Sequence, residues 1–236
     1  MKSTAIEHLS MSGVIGYSEE GRPIEAVFLG DESAPTTLLI GAIHGEEPAG
    51  AVLLEATIEA LQSSAKSLIG SRVVIVPVAN PDGFARGERR NARGVDLNRN
   101  FPARNHRAAT RHGDAPLSES ESRAIAALIE RIRPTVVVSI HQPLRCVDYD
   151  GPAQSIAERM AAACDLPVRR LGGRPGSLGS WVGEDLGVPI VTLELPGAAS
   201  RWPGPQLWER YGGAILAALD SALDDRAPVH SERVAE

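Results

Sequence analysis

The sequence predicts an α/β fold: a single domain on a central, twisted sheet, mostly parallel or mixed, with helices on both faces. Three observations predict it. Short, nearly continuous apolar runs recur along the chain, as strands buried on both faces require. Stretches with apolar residues at helical spacing lie between them. At 236 residues, 43% apolar and 23% charged, the chain has an ordinary globular composition and enough length for a well-filled core.

Taken in order, residues 1–21 are polar and contain Gly and Ser, so a lead-in with little regular structure is expected. Residues 24–29 (IEAVFL) read as a strand closed by Gly30, and 36–43 (TTLLIGAI), after Pro35, as a buried strand. Over 46–62, Val52, Leu53, Ala56, Ala60 and Leu61 fall at helical spacing. Pro48 sits in the first turn, where its missing N–H costs no hydrogen bond. Residues 72–78 (RVVIVPV) are the next strand. Residues 79–117 are rich in Asn, Arg and Gly and show no period; a connection this long is usually functional. Ser118 and Glu121 have capping-box spacing, which predicts a helix running to about Ile132. A buried strand at 135–140 (TVVVSI), a helix at 152–164 and a short strand at 168–171 follow. Then come a glycine-rich loop at 172–179, a short helix at 180–186, a strand at 189–195 (PIVTLEL) and a closing helix at 206–223. The charged residues 225–236 are expected to fray. Nothing divides 22–224, which is expected to be one domain without internal repeats.

Composition excludes several functions. A net charge of −6 argues against general binding of phosphate backbones. With 4% aromatics, stacking platforms for single-stranded nucleic acid are not expected either. Two cysteines, Cys146 and Cys164, make no disulfide framework or zinc ribbon and read as reduced thiols. Glu7 and His8 interrupt the amino-terminal stretch where a secretory signal needs an apolar run. No run reaches the length of a membrane span. The expectation is a cytoplasmic protein, monomer or homodimer, with neither nucleic acid nor membrane as partner.

Three apolar strands end in polar residues. TLLIGAI ends in His44, followed by Glu47; VVVSI ends in His141; IVTL ends in Glu194. In a parallel sheet such residues gather beyond the carboxyl ends of the strands, where active sites of this architecture lie. Two histidines and a carboxylate suit a catalytic zinc, which keeps three protein ligands and one open position. Glu194 is then left to serve as general base. Each signal is weak alone. A histidine at a strand end is more often a hydrogen-bonded structural residue, Glu46 competes with Glu47, and both acids suit the positive end of a helix.

The segment NPDGFARGERRNARGVDLNRNFP makes the pattern specific. HGEE at 44–47, NPDG at 80–83, DLNRNF at 96–101, His141 and Glu194 together resemble the zinc carboxypeptidase family (carboxypeptidase A type) over roughly residues 15–220. NARGVDLNRNFP, SIHQPLRC and PGSLGSW are similar to stretches of the bacterial members that act on murein peptides. The resemblance implies one zinc held by His44, Glu47 and His141, with Asp96 orienting the His44 ring. It implies Asn98 and Arg99 as holders of the substrate carboxylate, Arg89 as stabiliser of the oxyanion, and Glu194 as general base and acid. Arg90 and Arg93 compete with Arg89, and without the other motifs these arginines read as a solvated basic loop. The implied partner is a small peptide with a free carboxylate.

There are departures. The family often closes its site with a tyrosine at a position near Gly172, where this chain has none, and the murein-acting members carry Asp where this chain has Gln142. The short stretch 103–117 leaves no length for a deep lid. Digestive-type members carry a prosegment and a larger catalytic unit, so the resemblance implies a compact intracellular enzyme.

The implied reaction is hydrolysis of the γ-D-Glu to meso-diaminopimelate amide of L-Ala-γ-D-Glu-meso-diaminopimelate. Asp148 and Asp150 are candidates for the diaminopimelate ammonium, although a solvated loop is the favoured reading, and Arg174 is a candidate for its far carboxylate. Three alternatives remain open. One is a zinc N-acyl amino acid deacylase similar to succinylglutamate desuccinylase and aspartoacylase; NPDG and PGSLGSW favour the peptidase side. Another is a general small-peptide carboxypeptidase. The last is a peptide-binding module without turnover, which would have no use for Glu194.

Overall fold

The computed structural model describes residues 10–64 and 68–224. Its strands are β1 (Ser10–Tyr17), β2 (Pro23–Gly30), β3 (Thr36–Ile40), β4 (Arg72–Val76), β5 (Val136–His141), β6 (Leu144–Asp150) and β7 (Ile190–Pro196). Its helices are α1 (Pro48–Ser63), α2 (Pro81–Arg86), α3 (Ser120–Ile132), α4 (Gln154–Cys164) and α5 (Gly204–Asp224). All seven strands form one sheet in the order β1-β2-β4-β3-β5-β7-β6. The central four are parallel. The pairs β1–β2, β2–β4 and β6–β7 are antiparallel. The sheet is therefore mixed, with its parallel part in the middle.

That placement follows from the side chains. β3 and β5 are buried along their whole length, so both faces must be covered. Alternate residues point to opposite faces. Leu39, Val73, Ile75, Val138 and Ile140 pack with Leu53 and Leu54 of α1, Met160 of α4 and Ile215 of α5. Leu38, Ile40, Val74, Val76 and Val137 pack with Ile125, Leu128 and Ile129 of α3, and with Phe101 and Trp181. Phe101 and Trp181 stack, with centroids 5.9 Å apart.

Several local expectations are corrected. Residues 10–17, expected as part of an irregular lead-in, form β1. The strand escapes notice because it is an edge: Met11, Val14 and Tyr17 face outward at 62%, 49% and 59% exposure, and its register shifts between Val14 and Gly16. A Cβ on Gly16 would lie 2.6 Å from Ala124 of α3, so glycine permits this strand to lie against the helix. Residues 1–9 and the tail 225–236 lie outside the described residues. The long loop contains α2, whose start is capped by Asn80 accepting from the Gly83 N–H at 2.9 Å. The capping box at Ser118 does not form: Glu119 occupies the N-cap, and Glu121 is buried against Asn91. Residues 168–171 make one isolated bridge, Val168 to Val147, rather than a strand. Residues 144–150 (LRCVDYD), with no apolar run to mark them, form β6.

Candidate active site

The site lies beyond the carboxyl ends of three adjacent parallel strands. β3 stops at Ile40 and the chain turns through Gly41 to His44 before entering α1 at Pro48. This turn is clamped by the NPDG segment. The Asn80 backbone N–H donates to the Ala42 carbonyl at 3.1 Å, and Asn80 Nδ2 to the Ile43 carbonyl at 3.3 Å. A Cβ on Gly45 would fall 2.0 Å from the Gly83 carbonyl carbon, so two glycines allow the turn and α2 to touch. His141 ends β5, and the β5–β7 register places Glu194 directly beside it.

These elements bring three sequence-distant side chains to one point. His44 Nδ1 is 2.8 Å from Glu47 Oε1, His141 Nδ1 is 2.8 Å from Glu47 Oε2, and the two Nδ1 atoms are 3.2 Å apart. All three side chains are buried, and one donor atom from each lies within 4.8 Å of the others. Two imidazole nitrogens and a carboxylate oxygen at such separations form a donor set that fits zinc. Glu46 competes poorly: its side chain is 47% exposed and turned to Arg89. Burial alone would push Glu47 up, but hydrogen bonds from His141 and His44 overcome it and hold the carboxyl at about 2. Glu47 is therefore an anion at neutral pH, as a ligand must be.

The surrounding groups orient this set. Asp96 Oδ1 pairs with His44 Nε2 at 3.0 Å, leaving Nδ1 to face the convergence point. The same oxygen accepts from the Asn98 N–H at 3.0 Å and caps the turn at Leu97–Arg99, so one carboxylate fixes the ring and this cavity-lining segment together. Burial opposes ionisation of Asp96, yet the His44 contact and the nearby Arg89 and Arg99 charges hold it well below the usual carboxylate range. The Gln142 N–H donates to Glu47 Oε2 at 3.2 Å, and its side-chain Oε1 accepts from the Ala49 N–H at 3.1 Å. Gln142 thus ties β5 to α1, a positioning role its sequence context did not disclose.

A cavity of about 280 Å³ opens on the convergence point, lined among others by Arg89, Asn98, Arg99, Arg174 and Glu194. Arg89 Nη1 lies 3.4 Å from Glu47 Oε1 and its Nε 3.2 Å from Asp96 Oδ2. Arg93 instead pairs with Glu119 at 3.3 Å, and neither it nor Arg90 lines the cavity. Asn98 Oδ1 accepts from the Leu178 N–H at 2.9 Å, which leaves its amide nitrogen for a ligand. Glu194 Oε2 accepts from the Leu144 N–H at 3.2 Å. Burial pushes the Glu194 carboxyl above its usual value, with the Glu47 charge adding to the shift against the histidines. A carboxylate placed beside the convergence point with a raised proton affinity suits proton transfer. No tyrosine lines the cavity among the described residues. Asp148 and Asp150, favoured from sequence as a solvated loop, are corrected: both are buried on β6 and both line the cavity. The alternation of LRCVDYD was their only signal.

Comparison with known proteins agrees with this fold. The profile of the family described as zinc carboxypeptidase matches residues 2–150. Murein peptide amidase A of Escherichia coli (strain K12) is 38% identical over 186 residues, covering 71% of this chain and 74% of that protein. The crystal structure of murein-tripeptide amidase from Escherichia coli O157 superposes with a TM-score of 0.67 at 30% identity, over 88% of this chain and 91% of that one. Carboxypeptidase A from Helicoverpa armigera shares the fold with a TM-score of 0.73, at 22% identity over 92% of this chain and 70% of that one.

Proposed function

Because the chain belongs to the zinc carboxypeptidase family and is a peptide-bond hydrolase, we propose that it cuts the γ-D-Glu to meso-diaminopimelate amide of L-Ala-γ-D-Glu-meso-diaminopimelate. The observation that carries this reading is the convergence of His44, Glu47 and His141 beside Glu194, in a cavity that also holds Asn98 and Arg99. The likeness to murein peptide amidases supports the substrate.

His44, Glu47 and His141 would hold one zinc ion. Bound there, zinc would supply a Lewis acid that brings the pKa of water down to about 7. Glu194 takes the proton of the attacking water as a C–O bond forms at the amide carbon. Arg89 donates to the oxygen on which negative charge collects. Glu194 then gives the proton to the departing nitrogen as the C–N bond breaks, freeing diaminopimelate and a γ-glutamyl carboxylate. Asn98 Nδ2 and the Arg99 guanidinium hold the substrate carboxylate, the guanidinium by paired hydrogen bonds. The buried Cys146 and the half-buried Cys164 are free thiols, in keeping with a cytoplasmic setting.

The test is incubation of zinc-loaded protein with the murein tripeptide, followed by mass spectrometry. Release of diaminopimelate is expected. Cleavage of N-acetyl or N-succinyl amino acids with the tripeptide intact would overturn the reading.

A further inference from the structure

We propose that a second cavity, between α4, α5 and the start of β6, is a binding site for a small organic oxyanion, a carboxylate or a phosphate monoester on an apolar stem. The site lies beyond the amidase reading and does not depend on it. The cavity has a volume of about 600 Å³ and shares no lining residue with the catalytic one. Sites for small ligands commonly fall in this size range. Its walls come from the end of α4, the start of β6, the turn after β7 and the first half of α5. Ala162, Ala163, Leu166 and Pro196 give it apolar sides, and Arg145, Arg210 and Tyr211 bring polar groups to the same space.

These polar groups are donors in want of an acceptor. Tyr211 is only 4% exposed and its ring packs in the core, yet it lines the cavity and its hydroxyl bonds to no described residue. A hydroxyl shut away from bulk water is costly unless something completes it. Arg145 and Arg210 form no ion pair with a described residue. The Arg210 guanidinium lies over the Trp202 ring, 4.7 Å from its centroid, and Trp202 in turn stacks on Tyr211 at 6.5 Å. That stack holds the cation beside the phenol. Arg145 sits at φ 55°, a left-handed conformation that glycine adopts more readily. Both cations reach the phenol: they oppose the rise in its pKa that burial and the neighbouring Cys164 impose. Asp165, the acid on the lining, pairs with neither arginine. Two guanidiniums and a hydroxyl around an apolar-walled space match the several lone pairs of an oxyanion.

Trp202 supplies a local reporter. The chain has three tryptophans, so its indole N–H signals in a nitrogen–proton correlation spectrum are few, and Trp202→Phe identifies the one that matters. Zinc-loaded protein is titrated with hexanoate, with hexyl phosphate and with the neutral hexanamide. A saturable shift of the Trp202 signal is expected with at least one of the anions, about tenfold or more tighter than with the amide, as charge-assisted contacts require. Whichever anion binds tighter names the headgroup. The preference for an anion is expected to vanish in the Arg145→Ala, Arg210→Ala double variant and to shrink in Tyr211→Phe, each checked for folding by its melt. The catalytic cavity also carries arginines, so the titration is repeated in Arg99→Ala, where the Trp202 shift is expected to persist. Equal affinity for acid and amide, no saturable shift with either anion, an anion preference that survives the double variant, or loss of the shift in Arg99→Ala overturns the proposal.

Discussion

His141 and Glu194 stand directly opposite each other on the adjacent parallel strands β5 and β7. Register partners in a sheet project to the same side, so the proposed third metal donor and the proposed base are placed as one unit by backbone hydrogen bonds. Glu194→Gln keeps the shape while removing the proton acceptor. It is expected to retain zinc, measured by metal analysis, and to lose about 10²–10⁴-fold in kcat. Normal turnover in that variant would remove Glu194 from the reaction.

The contact between Asp96 and His44 Nε2 leaves Nδ1 as the ring nitrogen that would meet the proposed metal. Asp96→Asn is expected to weaken zinc binding or activity by about 10–100-fold, the usual consequence of losing a group that orients a ligand. A competition titration with a chromogenic chelator measures the affinity.

Zinc should bind the folded chain and not the unfolded one, because His44, Glu47 and His141 meet only in the fold. Added zinc is therefore expected to raise the melting temperature, and a chelator to abolish both the rise and the activity. His141→Ala is expected to show no rise.

Arg99 and Asn98 are expected to act on substrate binding, and Arg89 on the chemical step. Arg99→Lys loses the paired geometry of the guanidinium and is expected to raise KM about tenfold or more with a smaller change in kcat. Arg89→Ala is expected to lower kcat about 10²–10³-fold, as loss of an oxyanion donor does. Steady-state kinetics on the tripeptide separates the two.

Asp150 links stability to pH. Its folded pKa, up to about 6, lies above the ordinary aspartate value of 3.8, so the native state holds the proton more tightly between those limits. The contribution of this group to stability is then present below pH 3.8 and is lost as pH rises through 6. Asp150→Asn removes that penalty. Without ligand, its melting temperature is expected to exceed the parent's by a few degrees at pH 7.5, with the difference gone near pH 3.5.

The parallel centre of the sheet was legible because its strands are buried on both faces and carry unbroken apolar runs, as in Val136–His141. His44, His141 and Glu194 stood out because they terminate such runs. The edges were not legible. β1 exposes its larger apolar side chains, and β6 alternates, so neither carries the run that marks a central strand. For the same reason Asp148 and Asp150 read as loop acids, whereas their burial depends on β7, some forty residues distant. The failed capping box at Ser118 has a tertiary cause. Glu119 and Glu121 both bond to Asn91, which competes with the local cap.

The strand order separates two jobs by how freely each can change. The proposed metal donors and base follow or end β3, β5 and β7, which are laced to neighbours on both sides, whereas Asp148 and Asp150, which line the same cavity, hang from β6 at the margin. A margin can be rewritten without unpicking the middle. One wall of the cavity can thus be rebuilt in an outer ribbon, with the central strands left where they are.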